Sequence, residues 1–259
     1  MLDSFYNNGV TDLFYVNLEP KLKKLQNLIY DSTKELLISH SENLEVEEKL
    51  KLPFKEIPSS ENWSKLMNLV NSSNELNELI NCESVIKIFQ KIFKKPIRYE
   101  ICTFRARYPS ERRVIYNWHQ DEGTWYLSKN KKHIKKFTAT MWLSVNGCTK
   151  NNSIQIIKDS HKNKLYKHSY VSGQGYFNAN LDEDFFNKTN NIITIEAKPS
   201  EAVLFHPLTL HRSVTDNSEN IDIGLVPRYS IDIRYFDESK KLNYSTSYLF
   251  KLKKLINKI

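Results

Sequence analysis

Phe137-Thr138-Ala139-Thr140-Met141-Trp142-Leu143-Ser144-Val145-Asn146 is a run of β-branched, aromatic and apolar residues that stops at Asn146-Gly147. A short run of that composition, closed by a turn dipeptide, predicts a β-strand. Five further runs share its character: Arg98–Tyr108, Ser153–Ile157, Ile192–Glu196, Ala202–Phe205 and Val226–Tyr235. Polar segments separate them, Asn151-Asn152 among the turn candidates. Short strands spaced by turns predict a β-sandwich or jelly roll over residues 97–236.

Upstream the periodicity is different. Leu22, Leu25, Leu28 and Ile29 follow Pro20 at helical spacing, and Leu66, Leu69 and Val70 do the same. A third stripe, Val85, Ile86, Phe89, Ile92 and Phe93, ends before Pro96. Residues 1–96 are thus expected to form a mainly helical layer packed on the β-domain. No repeat and no linker divides the 259 residues, so one domain is expected. The stretch 162–191 is polar and aromatic and interrupts the strands, as a binding loop or lid would. From 237 to 259 the chain is basic and amphipathic. Leu249, Leu252, Leu255, Ile256 and Ile259 keep helical spacing, with Lys251, Lys253, Lys254 and Lys258 between them. Packing on its own domain or on a second copy in a homodimer is expected, with a membrane surface as the alternative.

Composition excludes several classes. Hydrophobic residues make up 40% and charged residues 26%, as in ordinary globular proteins. No apolar run is long enough to span a bilayer. Met1-Leu2-Asp3-Ser4-Phe5-Tyr6 does not read as a secretory leader. Cys82, Cys102 and Cys148 form no CxxC pair, which argues against a zinc ribbon or disulfide framework and for reduced thiols in the cytoplasm. The net charge of +8 favours an acidic partner: nucleic acid, a membrane surface, or a carboxylated or phosphorylated small molecule. The basic pairs Lys131-Lys132, Lys135-Lys136 and Lys253-Lys254 lack the aromatic interleaving of a nucleic-acid-binding motif. A nucleic-acid-binding module with a degenerate metal site is therefore the alternative to an enzyme acting on a small anionic molecule.

Tyr116-Asn117-Trp118-His119-Gln120-Asp121 contains His-x-Asp. In extended backbone, residues two apart point the same way, so the imidazole of His119 and the carboxylate of Asp121 can meet at one metal. A distant second His completes a 2-His-1-carboxylate face, which leaves room for further ligands and suits non-haem Fe(II). A zinc hydrolase using the same set is the weaker reading. Leu204-Phe205-His206-Pro207-Leu208-Thr209-Leu210-His211-Arg212-Ser213 offers that second His. His206 and His211 are an odd number apart with Pro207 between, so one strand face cannot present both. Ser213 beside His211 favours His211. Downstream, Pro227-Arg228-Tyr229-Ser230 supplies an Arg that can grip a carboxylate bidentately. Arg105 and Arg107 share one strand face and suit an anionic ligand.

From about Tyr99 to Phe236 the sequence resembles the phytanoyl-CoA dioxygenase family of Fe(II)/2-oxoglutarate oxygenases. Trp118-His119-Gln120-Asp121-Glu122-Gly123-Thr124-Trp125 is locally similar to the ectoine hydroxylase branch. Met141-Trp142-Leu143-Ser144 resembles the family's strand with a Trp lining the cosubstrate pocket. Asn152-Ser153 through Ser160-His161-Lys162, and Leu204 through His211, match two further stretches. Ser153 stands where Gly is usual, Lys158-Asp159 replaces Pro-Gly, and the interval from His211 to Arg228 is long.

The resemblance implies a double-stranded β-helix, a jelly roll of the cupin kind, enclosing iron. It implies His119, Asp121 and His211 as catalytic iron ligands. Arg228, Ser213 and Trp142 would contact 2-oxoglutarate, with Arg234 as the alternative anchor, an even number of residues along the same strand. Trp125, Arg105 and Arg107 would line the substrate side. The implied reaction uses O2 to decarboxylate 2-oxoglutarate to succinate and CO2 while the substrate is hydroxylated. Retention of Asp121, which halogenating relatives replace by a small residue, favours hydroxylation.

Overall fold

The computed structural model describes residues 1–38, 43–56, 58–98, 102–107, 117–127, 136–163, 165–171, 176–181, 185, 191–214 and 226–241. Chain order is α1 (Leu2–Asn8), β1 (Phe14–Tyr15), α2 (Lys21–Thr33), α3 (Val46–Lys49), α4 (Ser60–Asn71), α5 (Asn74–Ile80), α6 (Glu83–Gln90), β2 (Pro96–Arg98), β3 (Thr103–Arg107), α7 (Asp121–Leu127), β4 (Lys136–Ser144), β5 (Ile154–Ile157), β6 (His168–Val171), β7 (Tyr176–Ala179), β8 (Ile192–Thr194), β9 (Glu201–Phe205), β10 (His211–Ser213) and β11 (Arg228–Lys241). Within the predicted run Arg98–Tyr108, Arg98 ends β2 and Thr103–Arg107 form β3. Both pair with β11, at Pro96–Arg98 and Thr103–Arg107 respectively.

All described pairings are antiparallel. The larger sheet runs β1-β9-β4-β11-β2, with β3 also on β11, and the smaller runs β10-β5-β8. Two facing sheets with crossing connections make the jelly roll that the strand spacing predicts. Among the described residues, no helix is long and apolar enough to cross a membrane. Residues 248–259, with their apolar stripe and Lys253-Lys254, and the basic residues Lys131, Lys132 and Lys135 lie outside the described residues.

The larger sheet has two unlike faces. On one, Phe104, Ala106, Ala139, Met141, Leu143, Ala202, Leu204, Tyr229, Ile231, Ile233 and Tyr235 join the main core with the helices. Side chains alternate across a strand, so the intervening residues face the smaller sheet: Arg105, Arg107, Thr138, Thr140, Trp142, Val203, Phe205, Arg228, Ser230, Asp232 and Arg234. Trp142, Val203 and Phe205 meet Ile154, Ile156 and Ile195 there in a second, smaller core.

The helical layer is built as its spacing predicts. Leu22, Leu25 and Ile29 of α2 are fully buried, each worth roughly 2 kcal/mol of apolar burial. Gln26, on the same face, donates to the Val145 carbonyl at 2.8 Å and so ties α2 to the end of β4. Ser59 and Ser73 cap α4 and α5 by accepting the backbone N–H groups of Asn62 and Leu76. Leu69 is exposed although its stripe partners Leu66 and Val70 are buried. Ile92 and Phe93 lie beyond the end of α6 yet remain in the core.

Candidate metal centre

His119 and His211 are brought together by backbone pairing. Each donates its N–H to the other's carbonyl at 3.0 Å, so the two residues sit opposite one another as an isolated antiparallel bridge. Their ring centroids are 4.1 Å apart. Each ring also bonds the backbone two residues upstream: Nδ1 of His119 to the Asn117 carbonyl at 2.8 Å, and Nδ1 of His211 to the Thr209 carbonyl at 3.0 Å. A carbonyl can only accept, so Nδ1 carries a proton in both rings and Nε2 is the nitrogen left to ligate a metal. Burial, with His211 alongside, holds the His119 imidazole well below its ordinary pKa, so it is neutral. Metal ligation requires that state.

Asp121 reaches the same place by a different route from the extended backbone that the spacing suggested. It is the first residue of α7, which starts there because Glu122 N–H bonds the Pro207 carbonyl and Thr124 Oγ1 bonds the Asp121 carbonyl. Its Oδ2 accepts the Thr140 hydroxyl at 2.6 Å and the Arg234 Nε–H at 3.4 Å. Its Oδ1 lies 3.8 Å from Nε2 of His211. Burial would raise this carboxyl, but the Arg234 guanidinium foremost, with the Thr140 hydroxyl, holds it well below the carboxylate range. One donor atom from each of His119, Asp121 and His211 lies within 4.8 Å of the other two, and all three residues are buried. Two donors at right angles around an ion with bonds of about 2.1 Å are about 3 Å apart, so closing on a metal needs shifts of an ångström or so. Two imidazoles and one carboxylate, all from one side, suit Fe(II).

The other histidines stand apart. His206 packs on Phe5 and His161, and its Nδ1 accepts Leu208 N–H at 3.1 Å. Burial takes its pKa down to about 3. His161 bonds the Tyr6 carbonyl through Nε2. His168 is buried although its neighbours along the chain are basic and polar. Its Nε2 accepts the Gln120 N–H at 3.0 Å and its Nδ1 donates to the Tyr166 carbonyl. It belongs to a β6–β7 hairpin inside the stretch 162–191, where the sequence suggested an irregular loop. Gly123 of α7 lies flat against that ring: a Cβ there would come 2.1 Å from His168 Cε1.

The remaining sequence candidates are placed as follows. Arg228 is buried at the start of β11 and donates through Nη1 to the Asn152 carbonyl at 3.1 Å. Its guanidinium carbon lies 5.8 Å from the Trp142 ring centroid. Nε has no partner and no carboxylate pairs with it among the described residues, and burial lowers its pKa. Arg234 instead meets two carboxylates, Asp121 and Asp232 at 3.4 and 3.3 Å. Ser213 is buried on β10, two residues from His211 and on its side of the strand. Arg107 is the cross-strand partner of Arg228, is buried, and donates to the Val214 carbonyl at 2.7 Å. Arg105 pairs with Asp232 at 3.3 Å and keeps 30% of its side chain accessible. Trp125 lies on α7, and its side chain is outside the described set. Sequence reasoning passed over Thr140, Asp232 and Gln120. The even spacing of Asp232 between Arg228 and Arg234 was the available signal for one of them.

The profile of the phytanoyl-CoA dioxygenase (PhyH) family matches residues 80–221, more than half of the chain and including all three clustered donors. This chain belongs to the phytanoyl-CoA dioxygenase family. Membership places it among the iron- and 2-oxoglutarate-dependent non-haem oxygenases, with Fe(II), 2-oxoglutarate and O2 as the reagents of the class. No curated protein sequence matches it. Solved structures agree with the PhyH assignment in fold. EctD from S. alaskensis, in its apo form, superposes with a TM-score of 0.58 at 15% identity over 93% of this chain and 77% of that one. SnoK, a non-haem α-ketoglutarate-dependent carbocyclase from nogalamycin biosynthesis, gives 0.57 at 13% over 91% and 82%. EvdO2 from Micromonospora carbonacea, complexed with 2-oxoglutarate, gives 0.55 at 11% over 94% and 93%.

Proposed function

We propose that the chain hydroxylates a small anionic molecule, with His119, Asp121 and His211 holding iron and Arg228 anchoring 2-oxoglutarate. The convergence of three buried donors, each with its other polar atom already engaged, carries the reading. Bound iron, with 2-oxoglutarate and O2, supplies the oxidation and releases succinate and CO2.

The protein's own part is positional. Asn117 and Thr209 carbonyls fix the two rings so that Nε2 of each faces inward. Arg228 is a buried guanidinium that makes no ion pair among the described residues, a costly state that the distal carboxylate of 2-oxoglutarate would relieve by a charge-assisted pair. Trp142 walls that guanidinium, and Ser213 adds a hydroxyl on the His211 side. Asp121 occupies the position a halide would otherwise take, which supports hydroxylation. Arg105 and Arg107, on the inner face beside Arg228, support an anionic substrate, as does the net charge of +8. Trp125 is retained as a substrate-side candidate.

The test is anaerobic titration of the purified protein with Fe(II) and 2-oxoglutarate, followed by exposure to O2. A weak visible charge-transfer band and slow release of succinate are expected from the wild type, and neither from His119→Ala. Absence of both from wild-type protein reconstituted with Fe(II) would overturn the assignment.

A further inference from the structure

Asp121 is held by its outer oxygen as firmly as by its position. Oδ2 takes the Thr140 hydroxyl at 2.6 Å and the Arg234 Nε–H at 3.4 Å, while Oδ1 lies 3.8 Å from Nε2 of His211. Thr140 and Arg234 are cross-strand partners on β4 and β11 and so approach the carboxylate as one surface. Arg234 is fixed in turn. Its Nη2 meets Asp232 Oδ2 at 3.3 Å, and the same oxygen takes Arg105 Nε at 3.3 Å. Asp121, Arg234, Asp232 and Arg105 thus form a row of alternating charges along the inner face, with Arg234 almost wholly buried.

We infer that Arg234 and Thr140 are positioning residues that confine Asp121 to ligation through a single oxygen, and that this keeps the cosubstrate's share of the coordination sphere open. The inference rests on the metal-centre reading above. A six-coordinate ion with three protein donors has three positions left, two for the keto acid and one for O2. A carboxylate free to chelate through both oxygens would take a fourth, leaving the keto acid and O2 to compete for two. Carboxylates ligate divalent ions readily in either mode. An Asp whose second oxygen is occupied by a hydroxyl and a guanidinium has only one to give. The guanidinium also neutralises Asp121 before any ion arrives, so removing it leaves a buried carboxylate that a metal is welcome to neutralise.

The experiment compares wild type, Arg234→Met, Arg234→Lys and Thr140→Val in the intact protein. Co(II) affinity is measured by titration, and the affinity of the Co(II)-loaded protein for N-oxalylglycine, an unreactive analogue of 2-oxoglutarate, is measured separately. Arg234→Met is expected to bind Co(II) at least as tightly as wild type, yet to bind N-oxalylglycine about tenfold or more weakly, in the range of other outer-sphere substitutions. Arg234→Lys should recover part of that loss. Thr140→Val, which is close in volume and keeps the arginine, should show the same selective loss at about threefold. It preserves the test if Arg234→Met does not fold. Loss of Co(II) affinity to the same degree as, or without, loss of N-oxalylglycine affinity would overturn the inference, as would variants indistinguishable from wild type. Failure of wild type itself to bind Co(II) would instead strike the metal-centre reading.

Discussion

The two faces of β11 do opposite work with one stretch of backbone. Tyr229, Ile231, Ile233 and Tyr235 are buried against the helical layer and contribute to the main core. Arg228, Ser230 and Arg234, interleaved with them, are also buried, and Asp232 is half-buried; all four lie between the sheets and are polar or charged. Burial is therefore not what separates scaffold from site here. The difference is what each buried group has for a partner. The apolar face needs only contact, whereas each charge on the other face must find a counter-charge or a ligand. Among the described residues, Arg234 meets two carboxylates, Arg105 meets Asp232, and Arg228 has a backbone carbonyl and a tryptophan ring.

Substitutions on the two faces should consequently fail in different ways. The largest effect is expected from Ile231→Ala, which empties a fully buried position among Phe104, Leu143 and Tyr229. It should cost about 2–5 kcal/mol in the urea unfolding free energy. Co(II) affinity of the folded fraction should stay within about threefold, because the cavity lies on the far side of the sheet. A matching loss of metal affinity would show that the faces are not independent. Next comes Arg228→Met, a change of charge at little cost in volume. It should weaken 2-oxoglutarate binding about 30- to 100-fold, the scale of a lost buried charge pair. Stability should hold or rise, since an unpaired buried guanidinium is removed. Calorimetry in the presence of Mn(II) measures the first and thermal melting the second.

The smallest effect is in the pH response. His206 has a pKa of about 3 in the folded chain and about 6.5 when unfolded. Between those values the unfolded state binds the extra proton, so stability is complete above pH 6.5 and falls as pH drops towards 3. His168, at about 4, adds to the same slope over a narrower window. His206→Asn, whose side-chain oxygen can still accept Leu208 N–H, should flatten the fall between pH 6.5 and 4.5. Urea midpoints across that range decide it, and an unchanged slope would assign the acid sensitivity elsewhere.

This division between the faces also explains what was legible in the sequence. The apolar half of each strand, and the stripes of α2 and α6, could be read because burial of such residues is a matter of spacing. His119, Asp121 and His211 could be singled out because ligand types at those intervals are uncommon and their flanks resemble a known family. Partners could not be read. Nothing local says that Arg234 meets Asp121, 113 residues away in the chain. Nor does anything local say that His168 sits under Gln120 and not in solvent. The β6–β7 hairpin was hidden for a related reason. Its stability comes from what it packs on, and the polar, aromatic composition of 162–191 carries no clean alternation. Asp121 lies beside His119 and His211 as its spacing suggests, but on helical and not extended backbone, since its helix starts through a bond to Pro207 that lies far along the chain.

Gln120, the residue between two clustered donors, sets the traffic through this protein. Its side chain donates to the Leu208 carbonyl and accepts from Tyr166 N–H, and its own N–H goes to His168. Ala179 N–H adds a bond to the Trp118 carbonyl. Lifting the hairpin to admit a molecule would break three hydrogen bonds to the segment that carries His119 and Asp121, and would disturb both side chains in doing so. Approach along the Arg105 edge breaks none of these bonds. Arg105 is also the most accessible of the described inner-face guanidiniums, so the hairpin is the tied side of the site and the Arg105 edge the untied one.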